Sequence, residues 1–326
     1  MKAVQLSRTG GPDVLDYVDL PDPVPGPGEV LVKAHAIGVA KPDALFRTGV
    51  YRWMPALPAT PGAEMSGRIE KLGPGVDGFT VGQKVLVYHL GGGCYAEKIA
   101  VTARDVTALP DTVDLDDAVS IPNFQVAWAL LNVAARGLDP KAIYINGAAG
   151  GIGSAVLNWC RLGGLTVIAG AGSAEKCVFA ESQGATHTID YSRETVVERV
   201  LALTDGRGAD LILDQVVGKD FTDNLKMLAP LGLVVSFNVL GGLPEKDLFR
   251  EMRAFLPKSP AVRCFTMHSF DHDPAGKQRV VAGTLERFAS GQAKPPIHAK
   301  VPLAEVRRAH ELLDARRILG KLVLKP

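Results

Sequence analysis

The stretch that most constrains this chain runs from Ala142 to Leu157. An apolar run, Ala142-Ile143-Tyr144-Ile145-Asn146, is followed by Gly147-Ala148-Ala149-Gly150-Gly151-Ile152-Gly153 and then Ser154-Ala155-Val156-Leu157. The β-branched and aromatic residues predict a buried strand, the glycines a tight turn, and the alanine- and leucine-bearing segment the start of a helix. Backbone N–H groups at a helix N-terminus can hold a pyrophosphate only where no Cβ keeps the anion away. Glycine at 150, 151 and 153 removes that obstacle, and Ala148 and Ile152 carry the rest of the turn. The spacing is a variant of G-x-G-x-x-G. A bare strand-to-helix turn also selects glycine, so the phosphate reading depends on the pattern around it.

That pattern divides the chain in two. Up to about Pro122 it is short strands and punctuated turns: a first hairpin over 3–6 and 14–18, a proline-rich loop from Leu20 to Gly28 that cannot be helical, a strand over 29–39, a helical turn beginning near Pro42, and strands over 67–72 and 84–88. From residue 123 to about 268, strands at 142–146, 166–169, 186–190, 211–214 and 233–237 alternate with helical stretches such as 194–203 and 221–228. Such alternation implies right-handed crossovers and a parallel sheet covered on both faces, a doubly wound nucleotide-binding domain. Beyond it, 276–290 and 303–314 are expected to be helices and 320–324 a final strand, whose sheet the pattern leaves open.

With 326 residues there is room for two domains, and 22% charged residues against 47% hydrophobic ones exclude a disordered chain. A net charge of +1 with scattered basic residues gives no nucleic-acid track and no anionic membrane surface, leaving a small molecule as the expected partner. Cys94, Cys160, Cys177 and Cys264 stand far apart, without metal-ligand spacing, and are read as free thiols. No apolar run reaches membrane-spanning length and none near Met1 suits a signal peptide, so a cytoplasmic protein is expected.

With the glycine turn set in this order of features, the chain resembles the medium-chain dehydrogenase/reductase superfamily, and within it the zinc-independent quinone oxidoreductases. The resemblance is carried by Gly26-Pro27-Gly28-Glu29-Val30, Arg47-Thr48-Gly49-Val50-Tyr51, Pro61-Gly62-Ala63-Glu64, Gly78-Phe79-Thr80-Val81-Gly82-Gln83-Lys84-Val85, Tyr95-Ala96-Glu97 and Gly320-Lys321-Leu322-Val323-Leu324. It implies a GroES-like β-rich catalytic domain over 1–122 and 269–326, an inserted Rossmann domain over 123–268, an active site in the cleft between them, and a homodimer. Zinc-dependent relatives place a cysteine soon after the strand ending near Val39 and a histidine before the glutamate of Pro-Gly-His-Glu; here those neighbourhoods read Ala40-Lys41-Pro42-Asp43 and Pro61-Gly62-Ala63-Glu64. Only Glu64 survives of a set that must supply three ligands, so no metal is expected and Glu64 is read as a structural hydrogen-bonding residue.

Cofactor choice is expected at the end of the second strand of the nucleotide domain. NAD-preferring domains carry an acidic residue there; this chain has Gly172-Ser173-Ala174-Glu175-Lys176. Lys176 would attract a 2′-phosphate and Ser173 would hydrogen-bond it, while the plainer reading of Lys176 is a solvated helix lysine. The family's reductases use a lysine and a tyrosine at matching places, here Lys176 and Tyr191, and often an arginine near the C-terminus, here Arg316. NADPH is the expected cofactor. Val216, after the fourth strand, and Phe237 and Asn238, after the fifth, are expected to face the nicotinamide, although Asn238 could equally shape the turn beside Gly241.

Hydride transfer mainly needs two reactants stacked in a dry cleft. The resemblance makes Tyr51 the candidate proton donor or pocket-lining residue, and Asp43 the helix cap of the same loop. Quinone reductases carry an asparagine where this chain has Ala40, a second tyrosine at Leu45 and a threonine at Val126, so a pocket of Ala40, Leu45, Trp53 and Val126 would be less polar than theirs. The expected activity is NADPH-dependent reduction of quinones or related activated carbonyls. The alternatives are an enoyl-thioester or other alkene reductase with Tyr51 as acid, and an NADPH-binding redox sensor with little turnover.

Overall fold

The N-terminal apolar alternation closes a two-stranded antiparallel ribbon, β1 (Lys2–Leu6) with β2 (Leu15–Asp19), in which Leu6 faces Leu15. The computed structural model describes residues 1–52, 54–161 and 163–326; Trp53, expected in the pocket, lies outside the described residues. They form two compact units, one of Met1–Pro122 with Leu285–Pro326 and one of Asn123–Thr284.

In the first unit, the long β3 (Glu29–Val39) is followed by helix α1 (Lys41–Thr48), β4 (Glu64–Leu72), β5 (Lys84–Tyr88), β6 (Lys98–Thr102), β7 (Val106–Ala108) and the one-turn α2 (Leu115–Ala118). Helix α1 stops where Gly49 takes a left-handed φ of 78° and its N–H closes on Leu45 and Phe46 carbonyls, a glycine-terminated helix end.

Helix α3 (Ile121–Ala129) leads into the second unit, where β8 (Ala142–Asn146), α4 (Gly151–Cys160), β9 (Thr166–Ala171), α5 (Ala174–Ser182), β10 (His187–Asp190), α6 (Val196–Leu203), β11 (Ala209–Asp214), β12 (Leu228–Ser236), α7 (Leu248–Ala254) and β13 (Ala261–Cys264) follow in turn. Among the described residues its six-stranded sheet runs β10-β9-β8-β11-β12-β13, all parallel. The order reverses between β8 and β11, the switch point of a dinucleotide-binding sheet. Strands β8 and β11 are buried along nearly their whole length, as a strand covered on both faces must be. The stretch 221–228, expected to be helical, is a 3₁₀ turn over Phe221–Leu225. The Met227 carbonyl accepts from Ala209 N–H at 2.9 Å, and Leu228 is already paired with Ala209 in the sheet, so the chain is drawn into a strand before a helix can extend. The helix expected from 194 begins at Val196, because the Glu194 carboxylate turns back to accept from Asp190 N–H at 3.0 Å.

Helix α8 (Pro274–Ala289) contains the return to the first unit, which comes at Leu285, later in the chain than residue 269; β14 (Ile297–Pro302), α9 (Val306–Asp314) and β15 (Lys321–Lys325) complete that unit. The open question of the final strand is resolved: β15 pairs antiparallel with β3 and parallel with β14, burying Leu322, Val323 and Leu324 completely. Strands β13 and β14 escaped the sequence reading because each is short and half or more exposed, without the apolar density that marks a buried strand.

Candidate active site

In the second unit, β8 delivers the chain to Gly147, which turns it with φ of 71°, and α4 starts from Gly150 with no side chain capping its first turn. The N-terminal amides are thus left for an anion. A Cβ at Gly150 would find only the Gly147 carbonyl, at 3.6 Å, and would fill the space above those amides. A Cβ at Gly153 would meet the Gly147 and Ala148 carbonyls at 2.6 Å, so that glycine is what lets the helix approach the strand. The cradle is one that a pyrophosphate fits. Ala148 is buried, with its N–H on the Gly170 carbonyl at 3.0 Å, while Gly151 and Ile152 are partly exposed.

The loop after β11 is fixed to this turn by side chains that the sequence reading left out. Gln215 Nε2 donates to the Asn146 and Gly147 carbonyls at 3.2 and 2.9 Å. Buried Asp214 accepts through Oδ1 from the N–H groups of Val216 and Val217 at 2.8 and 3.1 Å and from Asn146 Nδ2 at 3.3 Å, and through Oδ2 from Asn224 Nδ2 at 2.9 Å. Four donors on one buried carboxylate offset its desolvation and hold Val217 at a φ of 60°. The Gly241 N–H on the Val216 carbonyl at 2.7 Å joins the loops beyond β11 and β12, where Val216 and Phe237 are half-buried and Asn238 is exposed.

At the end of β9, Ser173 caps α5 by accepting from Lys176 N–H at 3.3 Å, and Lys176 is partly exposed on the first turn. A Cβ at Gly172 would lie 3.0 Å from the Tyr191 ring, so Gly172, Ser173, Lys176 and exposed Tyr191 gather at one strand end. Arg316 belongs to the other unit, exposed just after α9 with a left-handed φ of 54°.

In the first unit, Ala40, the N-cap residue of α1, and Leu45, in the middle of that helix, are half-buried, and Val126 is half-buried on α3 in the second unit. Tyr51 follows α1, its ring centroid 6.1 Å from that of Phe46. Tyr51, Asp43, Phe46 and Ala63, with Gly62 and Gly92, line a shallow recess too tight to hold a water molecule. Burial, with the Asp43 charge adding to it, pushes the Tyr51 hydroxyl up to about 12. Asp43 is 3% exposed and accepts from Ala40 N–H at 2.7 Å, the cap expected of it. Burial, followed by the Glu64 charge, raises its carboxyl to about 7 against the opposing pull of the Ala40 N–H, Lys321 and the Tyr95 hydroxyl.

Behind Asp43 lies a buried polar chain. Tyr95 Oη is 3.1 Å from His310 Nε2, and burial, then the Arg47 charge, lowers His310 to about 3, so it is neutral. Its Nδ1 has no partner among the described residues, as suits the bare nitrogen of a tautomer with the proton on Nε2. Gly62 is required here, because a Cβ on it would lie 2.2 Å from the Tyr95 ring. Glu64 and Lys321, 6% and 3% exposed, form an ion pair. The signal for Lys321 was present in the sequence, as the one charge at the head of an apolar strand. These residues do not suit a catalytic zinc: Ala40 and Ala63 carry no ligating atom, and the Glu64 carboxylate is bound to Lys321. Among the described residues no cluster of three His, Cys, Asp or Glu side chains could hold a metal ion.

Residues 26–111 match the family model for the alcohol dehydrogenase GroES-like domain, and residues 151–278 that for zinc-binding dehydrogenases. A quinone oxidoreductase of Pseudomonas aeruginosa is 34% identical over 331 residues, covering 100% of this chain and 99% of the relative. The solved quinone oxidoreductase of Escherichia coli complexed with NADPH superposes with a TM-score of 0.91 at 26% identity, covering 100% of both chains. A 2-haloacrylate reductase superposes at 0.85 with 25% identity, covering 100% of this chain and 99% of that one. With its glycine turn, its sheet order and relatives matched from end to end, the chain belongs to the medium-chain dehydrogenase/reductase superfamily, in its quinone-oxidoreductase-like family.

Proposed function

We propose that this protein is an NADPH-dependent, zinc-free reductase of quinones or related activated carbonyl compounds. The observation that carries the reading is the uncapped start of α4 together with Ser173, Lys176 and Tyr191 at the end of β9, a pyrophosphate cradle and a cationic, hydroxyl-bearing corner on one sheet. Bound there, NADPH supplies a hydride. The α4 amides would hold the pyrophosphate, Ser173 and Lys176 would hold the 2′-phosphate, and the loop of Val216 and that of Phe237 and Asn238 would lie toward the nicotinamide end. The E. coli relative's complex with NADPH supports the choice of cofactor.

In the first unit, Ala40 and Leu45 would give the substrate an apolar surface, which suits a flat quinone ring. Tyr51, kept protonated across the working pH range, would supply the proton where the acceptor is a carbon atom. Alkene reduction is therefore the second reading, favoured by the high Tyr51 hydroxyl and by the likeness to a 2-haloacrylate reductase. A homodimer is part of the proposal; the exposed edge strand β13 is the kind of surface a second copy can extend.

The test is NADPH oxidation with 1,4-benzoquinone, 9,10-phenanthrenequinone and a crotonyl thioester. Quinone-dependent oxidation supports the first reading and thioester-dependent oxidation the second. Tight NADPH binding with turnover of none would leave the redox sensor. Stoichiometric zinc in the purified protein would overturn the zinc-free reading.

A further inference from the structure

The segment Arg47-Thr48-Gly49-Val50-Tyr51 places a guanidinium at a position that the fold buries. Arg47 is 3% exposed, and its Nη2 donates to the Asp314 carboxylate at 2.7 Å, while Nε and Nη1 meet no acceptor among the described residues. Burying a guanidinium for one hydrogen bond is a poor source of stability. Asp314 is 39% exposed and closes α9, the end of a helix at which the dipole disfavours a carboxylate. Stability explains neither residue well, and what their contact fixes is the seat of Tyr51.

Helix α9 is a firm support. Val306 and Ala309 are buried, Arg307 Nε donates to the Leu15 carbonyl at 2.8 Å, and His310, one turn before Asp314 on the same face, meets the Tyr95 hydroxyl at 3.1 Å. The Arg47 side chain ties the last turn of α1 to that support, and the Arg47 carbonyl accepts from Gly10 N–H at 3.0 Å. A Cβ on Gly49 would lie 2.7 Å from Thr9 Cγ2, so the turn is also packed on the loop between β1 and β2. From there to Tyr51 the chain has little freedom. Val50 N–H closes on the Leu45 carbonyl at 3.1 Å, and the Tyr51 ring packs against Phe46, which is 2% exposed on α1.

We propose that Arg47 is a positioning residue: by tying the end of α1 to Asp314 it sets where the Tyr51 hydroxyl stands as an activated alkene is reduced. The inference rests on the reading of Tyr51 as proton donor. A donor must reach its carbon in one geometry, and a misplacement of ~1 Å can cost about 10²-fold in rate. Quinone oxygens can take their protons from water, so quinone reduction depends on neither Tyr51 nor Arg47.

The experiment measures kcat and KM for NADPH-dependent reduction of a crotonyl thioester and of 9,10-phenanthrenequinone, with thermal melts. It compares the wild type, Arg47→Met, Arg47→Lys, Tyr51→Phe and the double variant of Arg47→Met with Tyr51→Phe. Because half-exposed Asp314 stays hydrated when the guanidinium is removed, Arg47→Met should fold and melt close to the wild type. Its kcat on the thioester is expected to fall by roughly 10- to 100-fold, with KM and the quinone rate nearly unchanged. Arg47→Lys, which keeps a cation for Asp314, should recover most of that rate, and the double variant should be no slower than Tyr51→Phe alone. Equal losses on both substrates, additive losses in the double variant, or an Arg47→Met that does not fold would make Arg47 a structural residue and overturn the proposal. An unchanged thioester rate in Arg47→Met or Arg47→Lys as slow as Arg47→Met would overturn it too. Full thioester reduction by Tyr51→Phe, or none by the wild type, would instead remove the Tyr51 reading on which it rests.

Discussion

The two units build their sites from different materials. In the nucleotide-binding unit the anion site is made of backbone: glycines that stand aside, a helix start without a cap, and side chains such as Asp214 and Gln215 that only hold loops in place. In the β-rich unit the site is made of buried side chains, with Asp43, Glu64, Tyr95, His310 and Lys321 drawn from five separate segments. A backbone site leaves its trace in contiguous residues and tolerates variation around it. A side-chain network leaves no local trace, and each member depends on the charge state of the others.

The largest effect is expected at Tyr51. Tyr51→Phe should lower alkene reduction by about 10²–10⁴-fold, the usual contribution of a positioned general acid, while quinone reduction changes by no more than a few-fold, as steady-state kinetics will report. Equal losses on both substrates would make Tyr51 a packing residue.

At the glycine turn, Gly150→Asp places a good helix cap where the anion belongs. Melting temperature should hold or rise, while affinity for NADPH and NADH falls together by roughly 100-fold or more in titration calorimetry. Retained affinity would show that the cradle is not a phosphate site. Lys176→Ala should weaken NADPH by about 10- to 100-fold, the worth of a charge-assisted contact, and leave NADH nearly unchanged. Equal loss for both would sink the 2′-phosphate assignment.

The smallest effect is on stability, and it separates the two members of the buried chain by sign. His310 is depressed to about 3 in the fold, so the unfolded chain binds the extra proton between there and its ordinary value of 6.5, and stability is lost as pH falls through that range. Asp43 is raised to about 7 from 3.8, so the folded chain holds the extra proton and stability is lost as pH rises from about 4 to 7. The two oppose each other across most of that window. Thermal melts against pH should therefore rise with pH toward 6.5 in Asp43→Asn and fall in His310→Gln, by roughly a few kcal/mol at most. The same slope in both variants would mean that these groups do not titrate as their burial implies.

The doubly wound sheet was legible because β8, the glycine turn and α4 are contiguous and each segment's period agrees with its neighbours. The return of β15 to β3 was not, since an apolar strand carries no label for its partner. Tyr51 and Lys176 could be named from motifs, yet the burial of Asp43 could not, because a capping aspartate is usually exposed and only the tertiary fold sets Glu64 and Tyr95 against it. The 221–228 stretch was misread for a related reason: its spacing suits a helix, and the pairing of Leu228 with Ala209 overrides it.

If the uncapped turn and the corner at Lys176 bind NADPH as proposed, the chain is an NADPH-consuming reductase. Initial rates of NADPH and NADH oxidation with 9,10-phenanthrenequinone test it most directly. Quinone-dependent oxidation is expected, with kcat/KM for NADPH at least about tenfold above that for NADH, the discrimination of one charge-assisted phosphate contact. Saturable NADPH binding without oxidation, or equal use of the two nucleotides, would contradict it.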